Sequence, residues 1–240
     1  MYLTRFRLNT GRPGARRLLA SPHQMHGAVN MAFPDPQPRD GQGPRVLWRV
    51  DSEHPADTKL YIVSPERPDL THLKEQAGWP TLEAPGWSTF LYGEFLNDLR
   101  EGDIWGFRLT ANPVHHIRRP EDSADIPTKR TAHRTARHQT GWLMKQRERA
   151  GFDIVRRPPE RRANEHDDGL ELIVRDHQPL RFHRSDERQR GTEVRFTRVT
   201  FDGRLRITDL AKFRRTLTHG LGKAKAYGCG LITLAPVERG

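Results

Sequence analysis

Along the first eight residues apolar and polar positions alternate, with Tyr2, Thr4, Phe6 and Leu8 on one side and Leu3, Arg5 and Arg7 on the other. A period of two predicts a strand with one buried face and one basic face. Residues 9–17 contain the breakers Gly11, Pro13 and Gly14 and read as a loop ending in Arg16-Arg17. The pattern then changes to a helical one. Ser21 stands as N-cap, Pro22 at the first helical position and Gln24 at the third, which predicts a helix over 22–33. At about 100° per residue, Met25, Ala28, Val29, Ala32 and Phe33 form one apolar stripe, His26 falls at its edge, and His23 with Asn30 lies further round. Pro34 to Pro44 is rich in proline, glycine and aspartate and reads as a spacer. Apolar runs at 46–50 and 60–64 predict strands, 70–76 a short helix, and 103–110 another strand. Strand, helix, two strands, short helix and strand is the order of a ferredoxin-like split βαβ unit.

The second half repeats the alternation without repeating the sequence. Residues 131–150 predict a basic amphipathic helix around Trp142, Leu143 and Met144, and 156–168 an exposed loop. Strands follow at 170–174, 194–201 and 205–207, with Asp202-Gly203 read as a hairpin turn. A helix from Thr208 or Asp209 carries Leu210, Phe213 and Leu217 on one face and stops at Gly220. A glycine-rich loop and a strand at 231–234 complete the pattern. The expected class is α+β, with two small domains side by side, over residues 1–113 and 114–240.

The chain has 240 residues, enough for two such cores. Lys plus Arg is 41 against 30 for Asp plus Glu, a net charge of +11 that calls for a polyanionic partner. Cys229 is the one cysteine, so an intrachain disulfide and a Cys₄ or Cys₂His₂ zinc site are excluded. Arginines interrupt the N-terminal apolar residues, and no run approaches the roughly 18 apolar residues of a membrane span. A soluble cytoplasmic protein without a membrane partner is expected.

The segment Gly220-Leu221-Gly222-Lys223-Ala224-Lys225-Ala226-Tyr227-Gly228-Cys229-Gly230 suggests a nucleotide loop, but Ala224 follows Lys223 where a P-loop needs Ser or Thr. A dinucleotide fingerprint fails as well, because Lys225 stands at its third glycine and a helix precedes it. What remains is backbone able to approach a phosphate, with Lys223 and Lys225 in it. None of the twelve histidines forms a His-Glu-x-x-His motif, and no metal or cofactor is called for. His23 and His26, three apart on a helix, are neighbours. At the edge of an apolar stripe His26 is half-sheltered, which suits a packing histidine and equally a general acid or base. Metal-free RNA cleavage needs a base for the 2′-hydroxyl proton, an acid for the departing 5′-oxygen and cations for the phosphate, and two histidines among arginines supply all three. Basic clusters that include Arg16, Arg17, Lys129, Arg130, Arg134, Arg156 and Arg157 fit a polynucleotide partner.

Several segments taken in order carry a family resemblance: Met1-Tyr2-Leu3-Thr4, Ser21-Pro22-His23-Gln24-Met25-His26, Leu47-Trp48-Arg49, 107–113, Lys129-Arg130 and 220–236. The chain resembles the type I-E CRISPR repeat-processing endoribonucleases, the CasE subunits of the Cascade complex, nearly end to end. The resemblance implies two tandem ferredoxin-like (RRM-like) domains. It further implies metal-independent cleavage at the base of the repeat hairpin of precursor CRISPR RNA, leaving a 2′,3′-cyclic phosphate and a 5′-hydroxyl. The enzyme would then stay bound with other Cascade subunits, the free protein being monomeric. His26 falls on the family's catalytic histidine and Lys225 on its glycine-loop lysine. The basic residues near Lys129 and Arg156 fall where relatives grip the hairpin. Members carry tyrosine where His23 stands, and some place Lys or Arg where this chain has Gly27, Asn30 and Met31. His23 is accordingly expected to take the tyrosine's role, with Arg16, Arg17 or Lys225 stabilising the charge on phosphate. A non-catalytic RNA-hairpin-binding subunit and a DNA-binding protein are the alternatives.

Overall fold

The structure is a computed structural model that describes residues 1–35, 43–80, 86–117, 129–133, 135–162, 168–186 and 189–237. Its elements in chain order are β1 (Tyr2–Leu8), α1 (Pro13–Ala20), α2 (Pro22–Asn30), β2 (Leu47–Ser52), β3 (Thr58–Ser64), α3 (Thr71–Ala77), β4 (Trp87–Leu91) and α4 (Tyr92–Asp98). There follow β5 (Ile104–Ala111), β6 (Val114–Ile117), β7 (Lys129–Ala132), α5 (Ala136–Ala150), β8 (Phe152–Ile154), β9 (Leu172–Asp186), β10 (Gln189–Ile207), α6 (Leu210–His219) and β11 (Ile232–Ala235).

The strands form two four-stranded antiparallel arrangements of the same topology. The first sheet runs β2-β3-β1-β4, and the second runs β11-β5-β10-β8, with β9 adding to β10 as a long ribbon. In each, the first and third strands of a βαββαβ unit lie at the centre, which is the ferredoxin-like arrangement repeated in tandem. β6 and β7 make a separate hairpin. No described helix is long and apolar enough to cross a membrane.

Thr4, Phe6 and Leu8 of β1 are buried while Arg5 and Arg7 are exposed, as the alternation requires. The predicted stripe of α2 is buried throughout: Met25, Ala28 and Val29 pack with Ala32 and Phe33 against Trp48, Leu60 and Ile62 of the first sheet. The helix itself ends at Asn30, and turns carry the stripe on to Phe33. Leu47, Val63 and the half-buried Tyr61 reach from the first sheet into the core of the second unit.

Four sequence-based expectations are corrected. The loop over 9–17 contains a helix: Pro13 occupies the first turn of α1, and Ala15 and Leu18, three apart, are buried. Gly14 is there because a Cβ would lie 2.2 Å from the carbonyl oxygen of Gln76. The strand at 103–110 belongs to the second sheet as β5, between β10 and β11. The fourth strand of the first sheet is β4, so the sheets change within residues 92–103, whereas the expected division followed residue 113. The helix expected from 131 starts at 136, because Thr135 caps it by accepting from the His138 N–H, and 129–132 is strand. Asp202-Gly203 is no turn: β10 runs through it unbroken. A Cβ at Gly203 would stand 2.2 Å from the Glu171 carbonyl oxygen, so that glycine serves close strand packing.

The join between the units includes Arg49, the largest fully buried side chain among the described residues, 1% exposed. From β2 its guanidinium holds both oxygens of Asp51 at 2.6 and 2.8 Å and donates to the carbonyls of Arg108 (2.8 Å) and Leu231 (3.1 Å) and to Thr233 Oγ1 (2.6 Å). One cation thereby ties the first sheet to β5 and β11 and satisfies its own burial.

Candidate nucleic-acid interface

α2 supplies the two histidines. Ser21 accepts from the Gln24 N–H, and Pro22 fixes the first turn, so the register of His23 and His26 is set at the helix start. Both side chains are half-buried, three residues apart on one side of the helix. His26 Nε2 lies 3.3 Å from Asn30 Nδ2, and Nδ1 is shielded from solvent. With the amide nitrogen as donor, Nε2 is an acceptor and the proton of a neutral ring sits on Nδ1. Helix position i+4 supplied a partner that the helical wheel alone had grouped with His23.

The glycine-rich segment is the second component. Leu221 N–H donates to the Gly230 carbonyl (2.9 Å) and Gly230 N–H to the Thr110 carbonyl (2.7 Å), pinching the loop shut at its base on β5. Inside it, Lys225–Tyr227 forms a 3₁₀ turn that packs against α2. Gly228, with φ at +77°, lies on the Trp48 ring, where a Cβ would come within 2.7 Å. Ala224 holds φ at +60°, a left-handed conformation rare for a residue with a Cβ. Strained backbone thus sits between the two lysines. Tyr227 is wedged against Phe182 of β9 and Phe196 of β10, ring centroids 5.0 and 5.7 Å away, so the long ribbon braces the turn from the other side.

Lys223 is exposed and Lys225 half-buried. Burial pushes the Lys225 ammonium down to about 8, and repulsion from Arg45, Lys223 and Arg149 acts in the same direction. Such a group is short of negative charge, and a phosphate would supply it.

The other predicted basic residues are spread more widely. Arg16 lies on α1 with its guanidinium donating to the carbonyls of Thr10 (3.2 Å) and Gly11 (2.6 Å), and Arg17 is exposed in the helix's last turn. Lys129 and Arg130 lie on β7, paired with Ile117 and His116 of β6. Arg134 falls outside the described residues. Arg156 is exposed and donates to the Asp168 carbonyl at 2.8 Å, while the Arg157 N–H donates to the Gly169 carbonyl at 2.7 Å. Thus the structure gathers α2 and the Lys225 turn into one place and leaves the hairpin and the 156–162 segment as separate elements.

Comparison with known proteins bears on the family and the fold. The family model described as CRISPR associated protein matches residues 1–236. The CRISPR-associated endoribonuclease Cse3 of Thermus thermophilus is 27% identical over 236 residues, covering 98% of this chain and all of that protein. A solved structure of Thermus thermophilus Cse3 bound to an RNA representing a pre-cleavage complex has a TM-score of 0.69 at 26% identity, covering 98% of each chain. A chain of a CRISPR RNA-guided surveillance complex in a pre-nicking state shares the fold at a TM-score of 0.64 and 20% identity, over 99% of this chain and all of that one.

Proposed function

Because this chain belongs to the CRISPR-associated protein family, we propose that it is the metal-independent endoribonuclease that cuts precursor CRISPR RNA at the 3′ base of each repeat hairpin. The observation that carries this reading is the packing of α2, with His23 and His26, against the turn that holds Lys225. Its 27%-identical relative is named an endoribonuclease, which supports the same class of reaction.

The chemistry follows from the groups. His23 and His26 divide two proton transfers between them: one ring nitrogen takes the proton of the 2′-hydroxyl, and the other ring gives a proton to the departing 5′-oxygen. The 2′-oxygen attacks phosphorus as the P–O5′ bond breaks, giving a 2′,3′-cyclic phosphate and a 5′-hydroxyl. Lys225, with Arg16 or Arg17, offsets the extra negative charge on the phosphorane. The hairpin stem is held by the β6–β7 hairpin that carries Lys129 and Arg130, by Arg134, and by Arg156 and Arg157. A product retained on so many phosphate contacts fits a subunit that remains with its RNA in a Cascade assembly.

The test is cleavage of the repeat hairpin in EDTA by wild type and by His26→Ala, with a 2′-deoxy nucleotide at the scissile position as control. Wild type alone should cut, the variant should lose about 10²-fold or more, and the 2′-deoxy substrate should stay intact. Tight binding without cutting by wild type would instead make the chain a hairpin-binding subunit.

A further inference from the structure

Beside the Lys225 turn, the second unit and the segment leading into β2 line an open pocket of about 350 Å³. Arg45, Arg149, Lys212, Arg215, His219 and Lys225 all line it, and no carboxylate does. Lys212 is held by Asp209 at 2.8 Å. Among the described residues none of Arg45, Arg149, Arg215 and Lys225 forms an ion pair, and Arg149 has only the Gln146 side chain, at 2.7 Å.

Part of this charge has an ordinary cause. Arg149 lies in the last turn of α5, and Arg215 and His219 lie near the end of α6, where cations suit the carbonyl ends of helices. That cause does not reach Arg45 or Lys225, which come from outside both helices. Arg45 is fixed there by its N–H donating to the Thr218 carbonyl at 3.1 Å. Four cations that form no ion pair among the described residues, drawn from four parts of the chain, converge on one pocket with the backbone of 220–222 along its wall, and together they suit an anion of phosphate size. The chloride-sized alternative would satisfy one cation and leave the rest.

The geometry points to a second phosphate site, in which Arg45, Arg149 and Arg215 take a backbone phosphate of the single-stranded RNA that flanks the cut. This rests on the reading of the chain as an RNA-processing enzyme. Lys225 borders both the cavity and the α2 face, so a phosphate here lies next along the strand from the one at the histidines. The site would therefore recognise RNA that continues past the hairpin, and hold the strand taut across the scissile bond.

Dissociation constants for two 2′-deoxy-blocked RNAs, the bare hairpin and the hairpin with a 3′ single-stranded extension, provide the test. Arg149→Gln combined with Arg215→Gln changes two exposed side chains, so the fold is retained, which circular dichroism would check. Wild type should bind the extended RNA at least about tenfold more tightly, with a steeper salt dependence. In the double variant that ratio should fall to near one. A ratio unchanged by the substitutions, or a wild type that gains nothing from the extension, would overturn the site. Inorganic phosphate is titrated in parallel: if it binds the wild type and not the variant while the extension gives no gain, the cavity serves a free anion and the RNA assignment fails. A wild type that binds neither RNA would overturn both this inference and the reading beneath it.

Discussion

At Lys225 the cost of collecting cations becomes measurable. Its ammonium is held near 8 by burial first and then by Arg45, Lys223 and Arg149, well below an ordinary lysine. In the free protein at pH 8 about half of these side chains are neutral, and a bound phosphate restores the proton. Binding of hairpin RNA at pH 8 should therefore take up protons, read by calorimetry in buffers of different ionisation enthalpy, and the uptake should vanish in Lys225→Met. Affinity should fall as pH rises from 7 to 9. The neighbouring Ala224 supplies a second expectation. Its left-handed backbone is unfavourable by about 1–2 kcal/mol for a residue with a Cβ, so Ala224→Gly should stabilise the protein by up to about 1 kcal/mol in urea unfolding. Little of this was legible in advance. The position of His26 at the edge of a stripe followed from helical period alone. The bond to Asn30 did not, because a wheel orders faces without choosing rotamers. The strain at Ala224 has no signature in residue type, since left-handed backbone is the mark of glycine, asparagine and aspartate and alanine does not signal it.

At the scale of elements, glycine marks both turns and close packing. By residue type Gly14 and Gly203 read as punctuation, yet each sits inside an element because another backbone passes too close for a Cβ. The residue type is the same for a turn and for a close approach, and only the partner strand distinguishes them. Gly203→Ala should consequently destabilise by about 1–3 kcal/mol, as overpacking does, seen as a lower urea midpoint with unchanged slope. Asp202 likewise is no turn residue but an anchor: Arg108 and Arg175 reach it at 2.7 and 2.6 Å from β5 and β9. Elements set by local rules fared better. Proline with a serine cap marked α2, aspartate and glycine bracketed α6, and alternation marked β1. β4 escaped notice because, on the edge of its sheet, it leaves Phe90 and Leu91 about half exposed and shows no clean alternation.

Taken whole, the molecule joins two units of one topology through apolar packing by Leu47, Val63 and Tyr61 and through the buried Arg49 guanidinium. Truncating Arg49 to alanine leaves Asp51 with only Arg108, at 3.5 Å, and takes the donor from three backbone or hydroxyl acceptors, a loss of about 3–5 kcal/mol, and proteolysis should open the glycine-rich segment before either sheet. Net charge acts at this scale too: with +11 overall, RNA affinity should decline steeply and log-linearly with salt. The tandem architecture was legible from strand and helix order, whereas Arg49 was visible only as one arginine within an apolar run. Its acceptor at Leu231 lies 182 residues further along the chain. During translation the first unit can therefore collapse early, but its arginine waits for a strand made long afterwards. Until that strand leaves the ribosome the guanidinium lacks its Leu231 and Thr233 acceptors. Order of synthesis thus makes the seam a late event: the clasp closes only after both of its halves have been made.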